Sequence, residues 1–434
     1  MASGENEEKK NQFYISVPTL VIVIVVLTVL CVGSGVLLGY YLKLSPQTTN
    51  AAEFRNLIQV DDLELNKQKS CEKRDLKANV EAMSFLNRCK DESCKAVTCD
   101  LSIPRNYIVY RTAPKSIKVD GSLEETAWTE VHWTKPFVDI RGEDFPLPRF
   151  ETQVKLRWDD TYLYVAARLQ DTDVWANKTL HDTTVYQDNA FQLLLDTERS
   201  NHKYKEIVIN ALGTVSDSMI SKPYLNDGEP LFLWESNLLR AVYIDGPVNN
   251  PKIPNKFWQV EMALPFKQLT AGTERSNDPP NDLDIWQANF VRSNWEVEVV
   301  GNKYEKKFNG DTDWWVWNSP EVSNIHLPNR WGLLQFRTVP VNSTIFQPDP
   351  YLPLQKTLSE IYEAEHAYKA NTGKYTDDFR RLKLPPYVTS GQCMQKPRIK
   401  LDWGGFIAST KPLENNLNQL NIRTDRYMWI GEQT

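Results

Sequence analysis

The residues in this chain best suited to chemistry are aromatic. Trp alone numbers 14 of 434 residues. The densest run is Asp311-Thr-Asp-Trp314-Trp315-Val-Trp317. Such rings stack on the apolar C–H face of a sugar, while the hydroxyls need fixed polar partners. In an extended run Trp314 and Trp315 point to opposite sides and Trp317 shares a face with Trp315, so one of the adjacent pair is expected to face away from a core. Trp175 follows Asp171 and Asp173 in a loop, where a sandwich fold places function more often than in its strands. Arg292 has the fork geometry to hold hydroxyls or a carboxylate, or to sit in a structural ion pair. His326 is either a ligand or a satisfied loop histidine. The ligand-binding candidates are therefore Trp175, Trp314, Trp315, Arg292 and His326. Asp159, Asp160, Asp171, Asp173 and Asp188 carry the oxygens that calcium takes, and equally the side chains that turns use. No cofactor is expected beyond a structural calcium, whose ligand set stays open. Glycoside hydrolysis needs two carboxylates about 5–9.5 Å apart, and no spacing singles out such a pair. No catalytic residue is assigned.

These residues sit behind an anchor. Residues 17–42 read VPTLVIVIVVLTVLCVGSGVLLGYYL, without a charge. The run exceeds the ~20 residues that a spanning helix needs and the ~7–15 of a cleaved leader. Tyr14 flanks one end and Tyr40 and Tyr41 the other, as in an interfacial belt. Lys9 and Lys10 before it favour a cytoplasmic tail at 1–16 and a single-pass protein with an extracellular or luminal ectodomain. Gly35 and Gly39 offer a helix–helix face for a dimer. The sequons Asn177-Lys-Thr179 and Asn342-Ser-Thr344 fit the same orientation as N-glycosylation sites. Cys71, Cys89, Cys94 and Cys99 cluster after the span and predict disulfides in a stalk and cysteine-rich segment at 43–110 that includes a helical stretch at 75–88. They lack the paired spacing of a zinc site. Cys393 stands apart; it is free, joins the cluster or bridges two chains. A net charge of −6 gives no basic footprint for nucleic acid.

Residues 111–338 have the texture of an antiparallel, jelly-roll-like β-sandwich, with short alternating runs cut by Asp, Asn, Gly and Pro. Val154-Lys-Leu-Arg-Trp158, the turn Asp159-Asp160 and Tyr162-Leu-Tyr-Val-Ala-Ala-Arg-Leu169 predict a hairpin. Further strands are predicted at 190–195, 204–211, 239–244, 257–263, 286–292 and 332–337. Most of the Trp are expected in the core. Residues 339–434 form a small α+β extension. Leu354, Leu358, Ile361, Tyr362, Glu365 and Tyr368 recur at helical spacing before Gly373; one or two more turns follow at 376–383, and strands at 398–408 and 422–430.

The central segment resembles the family-9 carbohydrate-binding modules through an ordered set of motifs. These are Val119-Asp-Gly-Ser-Leu-Glu-Glu-Thr-Ala-Trp128, the hairpin with Asp171 after it, and Gln187-Asp188 leading into a strand. Trp258-Gln-Val-Glu-Met-Ala-Leu-Pro265, Asn289-Phe-Val-Arg292, Trp317-Asn-Ser-Pro320 and His326-Leu-Pro-Asn-Arg-Trp-Gly332 follow. The resemblance implies a sandwich of two antiparallel sheets that binds sugar, in some members with calcium. It also implies a clamp of two Trp rings, one two residues before the Gln-Asp pair and one three residues before the Pro of the closing motif. Those positions hold Val185 and Ile325 here, and the family's carboxylate three residues after the Asp is Phe191. The fold motifs are present and the gripping residues are not.

A membrane-anchored glycan-binding ectodomain without catalysis is the expected function. The alternatives are a glycoside hydrolase or hydrolase-associated protein of carbohydrate catabolism, and a protein-interaction or adhesion module that has lost sugar binding. A haem held between Met219 and His326 is a fourth reading, and no haem is expected.

Overall fold

Alternation with a period of two builds most of the chain, because successive side chains of a strand face opposite ways. A computed structural model describes residues 102–275, 279–307, 312–414 and 416–431, all within one compact unit, Ala96–Thr434. The span expected at 17–42, with Gly35 and Gly39, the stretch at 75–88 and Cys71, Cys89, Cys94 and Cys99 lie outside the described residues. Among the described residues no helix is long and apolar enough to cross a membrane.

The strands, in chain order, are β1 Asn106–Arg111, β2 Val138–Asp139, β3 Thr152–Trp158, β4 Tyr162–Gln170, β5 Ala190–Asp196, β6 Tyr204–Asn210, β7 Val215–Ile220, β8 Pro230–Leu231, β9 Leu239–Ile244, β10 Phe257–Pro265, β11 Ile285–Trp295, β12 Val297–Val300, β13 Lys303–Lys306, β14 Thr312–Val316 and β15 Gly332–Arg337. They form one curled sheet in the order β8-β7-β6-β5-β11-β15-β1-β3-β4-β10-β9, with β14 on β11 and β2 on β14, while β12 and β13 make a separate hairpin. The fold is mainly β and fits a sandwich, but the sheet is mixed rather than purely antiparallel. β1 runs parallel to β15 through residues 106–110 and parallel to β3 through 110–111. One short strand therefore joins both layers. It lies within the segment that the sequence reading gives to the stalk.

Inward-facing residues of the two layers meet in one core. Val154, Leu156 and Trp158 of β3 and Leu163, Val165 and Ala167 of β4 pack with Phe191, Leu193 and Leu195 of β5 and with Trp286 and Phe290 of β11. Trp158 meets Phe266 and Phe336 edge-on, at 6.4 and 5.8 Å between centroids, the arrangement that ring quadrupoles favour. Trp128, Trp258, Trp286, Trp317 and Trp331 are fully buried.

The motif 119–128 wraps the outer face of β3, β4 and β10, where Ile117, Ala127 and Trp128 cover Tyr164, Ala166 and Ala263. It is pinned by Glu261, whose carboxylate accepts from Trp128 Nε1 and from the backbone N–H groups of Asp120 and Gly121, each at 2.9 Å. Gly121 has φ +86°, and a Cβ there would press on Tyr243, so glycine is required.

The C-terminal extension has its own core. Helix α1, Leu352–Thr372, ends at Gly373 in the left-handed conformation, the cap that Gly makes without strain. Its Leu354, Leu358, Ile361 and Tyr362 pack on Phe406, Ala408, Ile422 and Met428. These come from a four-stranded sheet of β16 Arg398–Asp402, β17 Gly405–Thr410, β18 Leu420–Arg423 and β19 Met428–Ile430. Each stretch read as a single strand is a hairpin, because Gly404 and Arg426 take positive φ and reverse the chain. Arg426, held by Glu363 Oε1 of the same module, ties it to the larger sheet: it donates to Asn329 Oδ1, and its backbone carbonyl accepts from Asn201. Cys393 is disulfide-bonded rather than free.

Candidate functional site

The sequence-predicted residues divide sharply by exposure. Arg292 is 0 % exposed and lies between the layers. It donates to Asp171 Oδ2 and Asn294 Oδ1 at 2.8 Å and to the Gln170 carbonyl at 2.6 Å, and its guanidinium lies 5.2 Å from the Trp315 ring centre. This is the structural ion pair, and no ligand reaches it. Trp315 is 3 % exposed and Trp175 5 %, so neither offers a sugar a free face. Trp175 is buried because its loop is held down: Val174 N–H donates to Asn255, and Ala176 N–H to Asn249. Trp314 does face away from the core that holds Trp315, as its place in β14 requires, and it stays partly exposed beside Tyr186.

The acidic candidates each make separate contacts, and Asp188 Oδ1 is buried without a hydrogen-bond partner among the described residues. Asp159 accepts from the N–H groups of Thr161 and Tyr162 and from Tyr164 Oη; Asp160 pairs with Arg111; Asp173 accepts from Tyr304 Oη. Asp188 Oδ2 accepts from Asn177 N–H, Lys178 N–H and Asn210 Nδ2. Met219 packs toward the main core, whereas His326 lies against Tyr204 on the opposite face of the sheet, so the two form no axial pair. Asn177 and Asn342 are both exposed.

A different constellation emerges on the outer face of β6 and β5. Alternation turns Ile207 and Ile209 of β6 inward and leaves Tyr204, Glu206 and Val208 outward; on β5 it leaves Gln192 and Leu194 outward. Glu206 pairs with Leu194 across the ladder and is thus diagonal to Gln192. Tyr186, from the single 3-10 turn Val185–Gln187, and Tyr224, from the turn Tyr224–Asn226, stand beside this face, each 41 % exposed. Tyr224 is within electrostatic reach of Glu206 and of Tyr186; burial, then those two groups, pushes its hydroxyl up to about 12.

His326 closes one side. Its ring meets Tyr224 edge-on at 4.5 Å, its Nδ1 is 3.1 Å from Tyr204 Oη, and its Nε2 is 3.9 Å from Glu206 Oε1. Burial pulls this imidazole down to about 4, so it is neutral at pH 7. Val185 and Ile325, at the family's clamp positions, are both buried, and in each case the next residue, Tyr186 or His326, lies at the face.

Two polar groups here are unspent. Gln192 Nε2 is buried without a partner among the described residues, which costs free energy unless something hydrogen-bonds it. Burial alone pushes the Glu206 carboxyl up to about 7. The face thus combines apolar ring surface with a carboxyl able to donate or accept near neutral pH, above the buried Gln192 amide. Period-two reading of Tyr204-Lys-Glu-Ile-Val-Ile-Asn210 already separates Glu206 from the apolar inner face. Nothing local in the sequence announces Tyr186 or Tyr224, since both sit in short turns that only the tertiary fold brings to the sheet.

Glu206 gives a pH signature. Between its ordinary value of 4.5 and about 7, the folded chain keeps a proton that the unfolded chain has released. Stability contributed by Glu206 therefore falls as pH rises through that window. Thermal midpoints recorded across it for wild type and Glu206→Gln should diverge in the variant's favour as pH rises. A difference independent of pH would show that Glu206 ionises normally.

Residues 119–216 match the family model described as carbohydrate family 9 binding domain-like. No curated protein matches the chain. Among solved structures, similarity is found to a family-9 carbohydrate-binding module from Caldicellulosiruptor kristjanssonii in complex with cellotriose, at 15% identity and TM-score 0.36, over 56% of this chain and 100% of that one. The same description with glucose bound gives 15% identity and TM-score 0.35 over the same shares. A candidate carbohydrate-binding protein from Bacteroides uniformis is similar at 13% identity and TM-score 0.41, over 54% of this chain and 100% of that one.

Proposed function

We propose that this protein is a membrane-anchored glycan-binding protein, held by a helix at 17–42 with its ectodomain extracellular or luminal, and that it grips sugar on the outer face of β5 and β6. The observation that carries the reading is the placement of the half-exposed rings of Tyr186 and Tyr224 around Glu206. Each exposed ring offers a stacking surface, and the Glu206 carboxyl supplies a hydroxyl contact. The family match over 119–216 supports a carbohydrate as the ligand class. The binding role needs no catalytic step: Glu206 hydrogen-bonds a hydroxyl rather than transferring a proton. The exposed sequon residues Asn177 and Asn342 support the orientation.

The test uses the full-length chain purified from membranes and probed on a glycan array, followed by calorimetry with the best glycan. Tyr186→Ala and Tyr224→Ala are each expected to weaken binding about tenfold, equivalent to about 1.4 kcal/mol, without moving the thermal midpoint. Trp175→Ala and Trp315→Ala should lower the midpoint instead. A folded protein that binds no glycan, or binds with both tyrosines dispensable, overturns the reading; recovery from the soluble fraction overturns the anchor.

A further inference from the structure

At the far edge of the same sheet, three carboxylates converge on one imidazole nitrogen. His181 Nε2 lies 3.2 Å from Glu235 Oε2, 3.4 Å from Asp182 Oδ2 and 3.6 Å from Asp217 Oδ1. The other ring nitrogen, Nδ1, is 3.0 Å from the Val215 carbonyl. A carbonyl can only accept, so Nδ1 carries the proton and Nε2 is the atom turned toward the carboxylates. This is the second contact by which metal-ligating histidines are usually oriented.

Asp217 supplies the independent sign of a ligand. It is 2 % exposed, and its Oδ1 is buried with no hydrogen-bond partner among the described residues. The cluster is also fastened in place. Asp182 Oδ1 accepts from Asp217 N–H at 3.1 Å, and Asp182 N–H donates to the Val215 carbonyl at 3.1 Å. Asp217 Oδ2 accepts from Ser236 N–H at 2.7 Å, which holds Glu235 alongside. Two chain segments, 181–182 and 235–236, are thereby clasped on the start of β7.

We propose that His181, Asp182, Asp217 and Glu235 form a binding site for a divalent transition cation of the zinc class. Ligands at the ~2.0–2.1 Å bond lengths of tetrahedral zinc stand ~3.3 Å from one another, and the three separations from Nε2 bracket that value. The ligand atoms of His181, Asp182 and Glu235 all lie within 4.8 Å of one another. An imidazole among the donors selects against calcium and magnesium, which take oxygen alone. The cation would replace the proton that Nε2 otherwise presents to Glu235. None of the aspartates considered for calcium in the sequence belongs to this set.

The experiment titrates zinc, cobalt(II) and calcium into the full-length, disulfide-intact chain, purified without a histidine tag and stripped with chelator. One zinc per chain is expected, with a rise in thermal midpoint and cobalt d–d absorption of an N/O site. His181→Ala, which removes a half-exposed ring, and Asp217→Asn, which keeps the Ser236 contact, should each weaken zinc at least tenfold and abolish the midpoint rise. Absence of stoichiometric zinc, undiminished zinc binding by both variants, or calcium binding as tight as zinc would each overturn the proposal.

Discussion

Arg292→Ala is expected to destabilise the fold by about 3–5 kcal/mol, the cost of leaving one member of a buried ion pair without the other. Arg292 and Asp171 are 0 % and 1 % exposed. Burial pulls the guanidinium down to about 10 and pushes the Asp171 carboxyl up, so each charge is held only by its contacts with the other and with the polar groups around it. Removing the arginine also strips donors from Gln170 O and Asn294 Oδ1 and leaves a void against Trp315 and Phe150. The double variant Arg292→Met/Asp171→Leu removes both desolvated charges and should recover much of the loss. Urea unfolding of the single and double variants measures the coupling directly. A single-variant loss below about 1 kcal/mol would place the pair among weak surface bridges.

Gly332→Ala is expected to cost about 3 kcal/mol, the upper end of the overpacking range. A Cβ at Gly332 would lie well inside contact distance of the Trp317 ring and 2.8 Å from the Arg105 carbonyl. Neither neighbour can yield. Trp317 is 1 % exposed in the core, and the Arg105 carbonyl accepts from Leu333 N–H at 2.9 Å, where β15 meets the start of β1. The added methyl therefore wedges the seam between the two layers. Trp317→Leu should rescue only part of the loss, since the carbonyl contact remains. A variant with an unchanged unfolding midpoint would show that the seam has slack.

The fold is more legible in this sequence than the site, and the reason is physical. The motifs 119–128 and 258–265 look unrelated along the chain yet meet at Glu261, which bonds Trp128 and the backbone of the first motif. Asn289 and Asn318 likewise bond each other: Asn289 Nδ2 donates to Asn318 O at 2.7 Å and Asn289 Oδ1 accepts from Asn318 N–H at 3.0 Å. Such residues fasten strands and covering loops to the sheet, so a resemblance built on them reads architecture. The hairpin Thr152–Trp158 and Tyr162–Gln170 and the strand Leu239–Ile244 follow from alternation alone. β1 does not, because Asn106-Tyr-Ile-Val-Tyr-Arg111 is short and its parallel partner lies over 200 residues away. The dense tryptophan run reads as a binding surface in the sequence, but two of its three rings fill the core. Burial is a property of the assembled layers, and composition does not carry it. Tyr186 and Tyr224 escape for the converse reason: turn residues reach a shared surface only once the sheet exists.

The position of β1 has a consequence for how this chain is made. It is the first strand of the sheet, and its partner over residues 106–110 is the last, Gly332–Arg337. At ~5–20 residues per second a ribosome needs roughly 10–45 s to synthesise the intervening chain. Until β15 emerges, the growing sheet keeps unpaired edges at β1 and β11, the kind of surface on which β-rich chains aggregate. Closure of the sheet is thus a late event of synthesis, and a chain truncated before β15 is left open along the seam between β1 and β11 that β15 fills.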